Sequence, residues 1–443
     1  MQTFRIRGGT PLEGSVTVRG AKNAVSKIMV AALLTDEPCL LRNVPDIDDV
    51  KIVSELIRML GGDVRYEDGT VAIHAKNLRT VDPSDLHQVA GKSRIPILFA
   101  GPLLHRLGEA LVPELGGCQI GKRPVDFHLK ALEMLGAEIS SVPKGFLMKS
   151  KRLQGEKIRL EYPSVGATEQ VLLAAVLAQG KTELSHAAVE PEIMDLIAVL
   201  QKMGAVISVD TDRTITIIGV ERLGGYVHTV ITDRIEVASW GCAAFATNGR
   251  VLVKNARQGD LTTFLNSYRQ IGGAFEVRDD GIVFWRGEPL RSIALETDVH
   301  PGFMTDWQQP FSVLLTQVPG ASIIHETVYE DRFGYVEALN RMGAKMQLYT
   351  ECLGGRPCRF GQKNHLHSAV VTGPSKLHGA EITVPNLRAG FSYVVAALAA
   401  EGETVLHQME IIRRGYEDFE KKLRGLGASF DTMEEKDLTG VSC

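Results

Sequence analysis

The chain has 443 residues, 44% of them hydrophobic, and its 49 basic and 53 acidic residues are interspersed to give a formal charge of -4. That composition suits one large core or two of ordinary size, excludes disorder as the dominant state and gives no support to a nucleic-acid-binding surface. The start MQTFRIRGGT lacks the apolar centre of a signal peptide, and no uncharged run approaches the roughly 18 to 20 residues that cross a bilayer, so a cytoplasmic protein without membrane insertion is expected. Six scattered cysteines, at 39, 118, 242, 352, 358 and 443, suit reduced thiols rather than a disulfide framework.

Along the chain one phrase recurs: a helical pattern runs into Gly-Gly or Gly-Ala and then into a short apolar strand. It reads MLGGDV, MLGAEI, KMGAVI, QIGGAF, RMGAKM and GLGASF, with first glycines at 61, 136, 204, 272, 343 and 427. Such regular spacing indicates six copies of one folding unit, each glycine closing a helix in the left-handed conformation. A second set of segments, near 26–34, 94–104, 168–179, 236–247, 307–318 and 389–400, is almost uncharged and predicts helices apolar on all sides, which belong inside a bundle. The other helix of each unit, as in KIVSELIRML and FEKKLRGL, carries charge on one side and is expected at the surface. Alternating segments such as SVTVRG, EKIRLEY, TITIIG and IVFWRG supply strands.

The pattern predicts an α/β fold of two domains, each built from three units around buried helices. Residues 22–230 form the first domain, and 1–21 with 231–443 form the second. A cleft between them, where buried helices begin, would favour phosphate or carboxylate through free N–H groups and aligned peptide dipoles.

Several residues stand where chemistry is expected. Lys22 and Asn23, in VTVRGAKNAVSK, precede the first inner helix; the lysine either meets an anion there or is an ordinary solvated residue beside a cap. Cys118 lies in VPELGGCQIGKRPVDFH, whose glycines and prolines disfavour regular structure, with Lys122 and Arg123 close behind. Adjacent positive charge favours thiolate, so Cys118 is either a reactive group or an incidental surface thiol. Cys39 and Cys242 sit in apolar contexts and read as core. Asp306, in HPGFMTDWQQPFSV, either caps the fifth inner helix or accepts a proton from a hydroxyl. Arg94, Arg332, Arg388 and Arg414 recur near inner-helix starts or turns, and planar donor forks suit a ligand bearing phosphate and carboxylate.

Metal binding finds little support. Cys352 and Cys358 with His365 and His367 lack a compact finger spacing, and the segment reads as a hairpin or surface insertion. Neither a G-x-x-x-x-G-K-[ST] loop nor a strand-linked G-x-G-x-x-G turn occurs.

Taken together, GAKNA, GGCQIGKRPVDFH, SVGAT, EPEIMD, TDRIE, HPGFMTD, EDRFGYVEALNRMGA and RRGYEDFEKKL resemble the enolpyruvyl transferase family, in its branch that uses UDP-N-acetylglucosamine, over essentially the whole chain. The six-unit fold alone would also admit shikimate-using enolpyruvyl transferases and RNA phosphate cyclases. The resemblance implies a two-domain inverse α/β barrel with the active site in the interdomain cleft, and enolpyruvyl transfer from phosphoenolpyruvate to the 3-hydroxyl of UDP-N-acetylglucosamine. That reaction releases phosphate in the first committed step of peptidoglycan synthesis and requires no cofactor and no metal. By resemblance, Cys118 is the mobile-loop cysteine that bonds to phosphoenolpyruvate and fosfomycin. Lys22, Arg123 and Arg414 hold phosphoenolpyruvate, with Arg94, Arg332 and Arg388 extending the basic lining. Asn23 and Asp306 contact the sugar, with Asp306 as the base. Arg123, Pro124, Val125, Asp126, Phe127 and His128, with Ser164, Val165 and Gly166, resemble nucleotide-binding segments.

The chain departs from the family pattern at Asn386, where aspartate is usual, at Tyr162, where some relatives carry lysine, and in a longer 351–368 segment; Trp307 follows the key aspartate. Two alternatives follow: transfer to another nucleotide or nucleotide sugar, and a non-catalytic UDP-sugar sensor.

Overall fold

A computed structural model describes residues 2–434 apart from 82–85, 87, 88, 90–92, 114–124, 144, 356 and 357. Its contacts divide the chain into two units. Among the described residues, one comprises 2–18 and 232–434, the other 19–113 and 125–231. Each has its own hydrophobic core.

The repeat is visible in the backbone. Gly61, Gly136, Gly204, Gly272, Gly343 and Gly427 all have positive φ, from 85° to 104°, the conformation that lets a helix stop and turn into a strand without a Cβ clash. Before each lies an outer helix: α2 (Asp48–Met59), α4 (Asp126–Met134), α6 (Pro191–Lys202), α8 (Thr262–Gln270), α10 (Val336–Arg341) and α12 (Phe419–Gly425). In α2, Val50, Val53, Leu56 and Ile57 are buried while Lys51, Glu55 and Arg58 are exposed, the spacing of an amphipathic helix on a core. Helix α12 differs from the solvent-facing expectation in one respect. Its Lys422 turns inward to Glu236 at 2.7 Å, because that buried carboxylate, which also accepts from Trp240 Nε1 at 2.9 Å, needs a counterion.

The inner helices are α1 (Lys22–Ala31), α3 (Ala100–Leu107), α5 (Val165–Ala175), α7 (Arg234–Ala246), α9 (Thr305–Leu315) and α11 (Leu387–Ala399); a 3-10 turn at Ile95–Phe99 leads into α3. They occur where the uncharged segments predict them, several beginning two to four residues earlier. Every residue of α7 is buried, and in α9 all except Asp306. Helices α7, α9 and α11 pack against one another, which is what such sequences require: no face tolerates water.

Among the described residues the strands form six sheets, five of four strands and one of three, and none closes on itself. The recurring motif is an antiparallel hairpin flanked by a strand, plus one parallel partner from elsewhere in the chain. Thus Cys39–Arg42 pairs in parallel with Val227–Thr229, and Glu13–Thr17 with Arg250–Lys254. Gln2–Arg7 lies between Glu403–His407 and Ser429–Glu434 in register Phe4 to Leu406 and Phe4 to Thr432, joining the chain start to the last sheet. No helix among the described residues is long and apolar enough to cross a membrane.

Candidate active site

In the unit containing residues 232–434, the chemistry gathers at the start of α9. The turn of α9 that carries Asp306 is fastened by Glu326, a fully buried carboxylate that accepts from Thr305 Oγ1 at 2.9 Å, Gln308 Nε2 at 3.0 Å and the backbone N–H groups of Val328 and Tyr329. Burial raises the pKa of Glu326, while Arg332 and these donors oppose the rise. Asp306 points away from the apolar bundle. Its Oδ1 accepts from Arg332 Nη2, and its Oδ2 lies 3.5 Å from Arg388 Nε. Negative charge in the first turn of a helix is also favoured by the helix dipole.

Both arginines are buried, Arg332 completely; Asp306 gives counter-charge to both, with Glu326 acting also on Arg332 and Asp233 on Arg388. Arg332 Nε and Nη1 have no hydrogen-bond partner among the described residues, an arrangement that leaves donors for an anion. Arg388 Nη1 donates to Tyr416 Oη at 3.1 Å. Arg414 ends the 3-10 turn Met409–Arg414, two residues before Tyr416. Trp307 turns to the other side of α9, donating from Nε1 to the Arg234 carbonyl at 3.3 Å. The structure therefore brings Asp306, Arg332 and Arg388 together and sets the Arg414 turn beside them.

In the other unit, Lys22 opens α1 and pairs with Asp49 of α2 at 2.5 Å. A cation at a helix N-terminus opposes the dipole, and the nearly buried Asp49 offsets that cost. Asn23 contributes its carbonyl to Lys27 Nζ at 2.8 Å, and Lys27 lies 3.8 Å from Glu169 of α5. Burial lowers the pKa of Lys27 and pushes Glu169 up to about 7, with Glu192 and Glu190 adding repulsion to the carboxylate.

Ser164 caps α5, its hydroxyl accepting from Ala167 N at 3.3 Å; Val165 is the first helical residue and Gly166 the second. A Cβ at Gly166 would lie 2.9 Å from His128 Nε2, so the absence of a side chain there lets the ring lie against the helix start. Val125 precedes α4 and Asp126, Phe127 and His128 open it. Burial takes the His128 pKa down to about 4, and its buried Nδ1 has no hydrogen-bond partner among the described residues. Arg94 precedes the 3-10 turn into α3 and acts on His128 through its charge. Cys118, Arg123 and Pro124 lie outside the described residues.

Sequence reasoning missed Asp49, Lys27, Glu169, Glu326 and Tyr416. The first three were signalled only by charges inside apolar patterns, as in DDVKIV and SVGATEQVLL. Cys39 and Cys242 are buried as expected, and burial raises both thiol pKa values, that of Cys39 to about 11.

A family model described as EPSP synthase (3-phosphoshikimate 1-carboxyvinyltransferase) matches residues 6–423. Among solved structures, the enolpyruvyl transferase NikO from Streptomyces tendae shares the fold with a TM-score of 0.84 at 24% identity, covering 98% of this chain and 99% of its own. A UDP-N-acetylglucosamine 1-carboxyvinyltransferase from Protochlamydia amoebophila is 49% identical over 98% of this chain and 95% of its own length. One from Chlamydia pneumoniae is 47% identical over 99% and 97%. The chain belongs to the EPSP synthase family and, within it, to the UDP-N-acetylglucosamine 1-carboxyvinyltransferases.

Proposed function

We propose that the chain moves the enolpyruvyl group of phosphoenolpyruvate to the 3-hydroxyl of UDP-N-acetylglucosamine and releases inorganic phosphate, opening peptidoglycan synthesis. The observation that carries this is near-full-length identity, 46 to 49%, to relatives named for that transfer. The residue roles rest on the family pattern and on the local geometry.

In this reading the sugar hydroxyl attacks C2 of phosphoenolpyruvate while C3 gains a proton, giving a tetrahedral intermediate. Loss of a C3 proton and departure of phosphate then restore the double bond. Asp306 takes the hydroxyl proton from its place at the helix start, held between the two arginines. Lys22, Arg123 and Arg414 hold the phosphate and carboxylate, and Arg94, Arg332 and Arg388 extend that positive lining. Asn23 contacts the sugar, and Cys118 exchanges a proton or assists product release. Val125, Asp126, Phe127 and His128, with Arg123, Pro124, Ser164, Val165 and Gly166, hold the nucleotide. A neutral His128 and the free N–H groups of a helix start suit polar and phosphate groups there. Both units then serve one reaction, as domains 22–230 and 1–21 with 231–443, and in each the three sheet-and-helix units are arranged as an inverse barrel around the inner helices.

Asn386 does not favour another acceptor. Its Oδ1 caps α11 by accepting from Ala389 N at 3.0 Å, a task asparagine and aspartate perform alike. The test is phosphate release over a panel of acceptors. Release that requires both phosphoenolpyruvate and UDP-N-acetylglucosamine is expected, whereas release with UMP but not with the amino sugar nucleotide would overturn the assignment.

A further inference from the structure

The described residues of the 351–368 segment lie against a neighbouring strand and assemble a cluster that their spacing alone argued against. His325 ends the strand Gly320–His325, whose antiparallel partner Ser368–Gly373 sets Ser368 directly opposite it. His325, Cys352, Cys358 and His367 each offer one ligand atom, and these four atoms lie within 4.8 Å of one another. Cys352 Sγ is 3.4 Å from Cys358 Sγ and 3.3 Å from His367 Nε2. The sequence-based set contained His365; its ring instead lies toward Asp331, with Nδ1 3.7 Å from Oδ1, and His325 takes the fourth place.

Hydrogen bonding decides which ring nitrogens are available. His367 Nδ1 is 2.8 Å from the His365 carbonyl, which only accepts, so Nδ1 carries the proton and Nε2 presents a lone pair. Ser368 Oγ gives its single proton to the Glu351 carbonyl at 2.7 Å and accepts from Leu353 N at 3.2 Å. Its contact with His325 Nδ1 at 2.9 Å therefore makes that nitrogen the donor as well. His325 is fully buried, and its Nε2 lone pair has no hydrogen-bond partner among the described residues. Two fixed imidazole lone pairs thus converge on two thiols, each ring oriented through its other nitrogen as metal-bound histidines are.

The geometry points to a structural metal site of the zinc class, with Cys352 Sγ, Cys358 Sγ, His325 Nε2 and His367 Nε2 as a closed tetrahedral set. Zinc bonds of about 2.3 Å to sulfur and 2.0 to 2.1 Å to nitrogen imply ligand separations of roughly 3.3 to 3.8 Å, which the two measured pairs meet within a few tenths of an ångström. On binding, each thiol gives up its proton to solvent and the cation takes two thiolates and two neutral imidazoles. Phe360 N lies 3.4 Å from Cys358 Sγ, an N–H donor suited to a thiolate. The surrounding backbone has little room to spare. A Cβ at Gly354 would sit 2.5 Å from His325 Cδ2, and one at Gly361 3.0 Å from Cys352 Sγ. Four protein ligands leave no position for a reacting water, so the ion fastens the insertion to the sheet rather than joining the transfer chemistry.

The test uses the full chain, reduced and stripped with a chelator, against Cys352→Ser/Cys358→Ser, which retains Cys118 and the remaining cysteines. Zinc titrated in competition with a chromophoric chelator should show one ion per wild-type chain that the double variant lacks. Cobalt in its place should give tetrahedral d–d bands and thiolate-to-cobalt charge transfer, both lost in the variant. Chelation should lower the wild-type Tm and leave that of the variant unchanged. Ser368→Ala, which frees the His325 ring, should weaken binding by about 10- to 100-fold. Equal zinc uptake by wild type and double variant, a cobalt spectrum without charge transfer, or a Cys352–Cys358 disulfide that persists in reductant and binds no metal would each overturn the site.

Discussion

The two units carry one repeat and use it for different electrostatics. At the start of α9 a single carboxylate, Asp306, sits between two buried guanidiniums. Near the start of α1, two lysines face carboxylates from other helices: Lys22 with Asp49, and Lys27 with Glu169. Guanidinium keeps its proton when buried, so the first cluster is a fixed charge array. Burial drives an ammonium to give up its proton and a carboxylate to take one, so the Lys27–Glu169 pair responds to pH near neutrality. The shared glycine-punctuated scaffold sets where charges can be mounted, and the side-chain type sets whether they can titrate.

The strongest way to break this comparison is Asp306→Ala. It removes the carboxylate shared by buried Arg332 and Arg388, leaving Glu326 near the first and Asp233 near the second, and should cost up to about 3 to 5 kcal/mol of stability in urea unfolding, together with turnover. A loss under about 1 kcal/mol would mean that the arginines do not depend on Asp306, since that is the worth of a surface pair. Next comes Lys22→Ala, which should remove roughly 2 to 4 kcal/mol of transition-state stabilisation, about 30- to 1000-fold in kcat/KM for phosphate release. An unchanged rate would confine Lys22 to pairing with Asp49.

The smallest effect sharpens the titration contrast. Burial raises the Glu169 pKa from 4.5 to about 7 in the folded chain, so between these values the folded state holds a proton that the unfolded state has released. The stability associated with that proton is fully present below about pH 4.5 and is lost as pH rises through about 7. Glu169→Gln, which mimics the protonated form, should gain on wild type from pH 5 to pH 7 by no more than about 1.4 kcal/mol per pH unit. A difference that stays flat in unfolding at several pH values would show that Lys27 keeps the carboxylate ionised throughout.

Much of this was legible without coordinates. A glycine every 68 to 84 residues and six uncharged helical stretches specify the repeat, because a left-handed helix stop and an all-apolar helix each have few structural solutions. The sequence likewise marked Asp306, Arg332 and Arg388 as candidates, since the arginines recur near inner-helix starts with donor forks suited to an anion and the aspartate stands at the start of one such helix. It was silent on who pairs with whom. Asp49 looks like a surface residue of an amphipathic pattern, Glu169 like a lone charge in an apolar one, Tyr416 like core, and His325 like the end of a strand. Local periodicity determined the elements and their order; only tertiary packing chose partners across long chain separations, because contacts between charges and ligand atoms depend on a few ångströms that no spacing along the chain encodes.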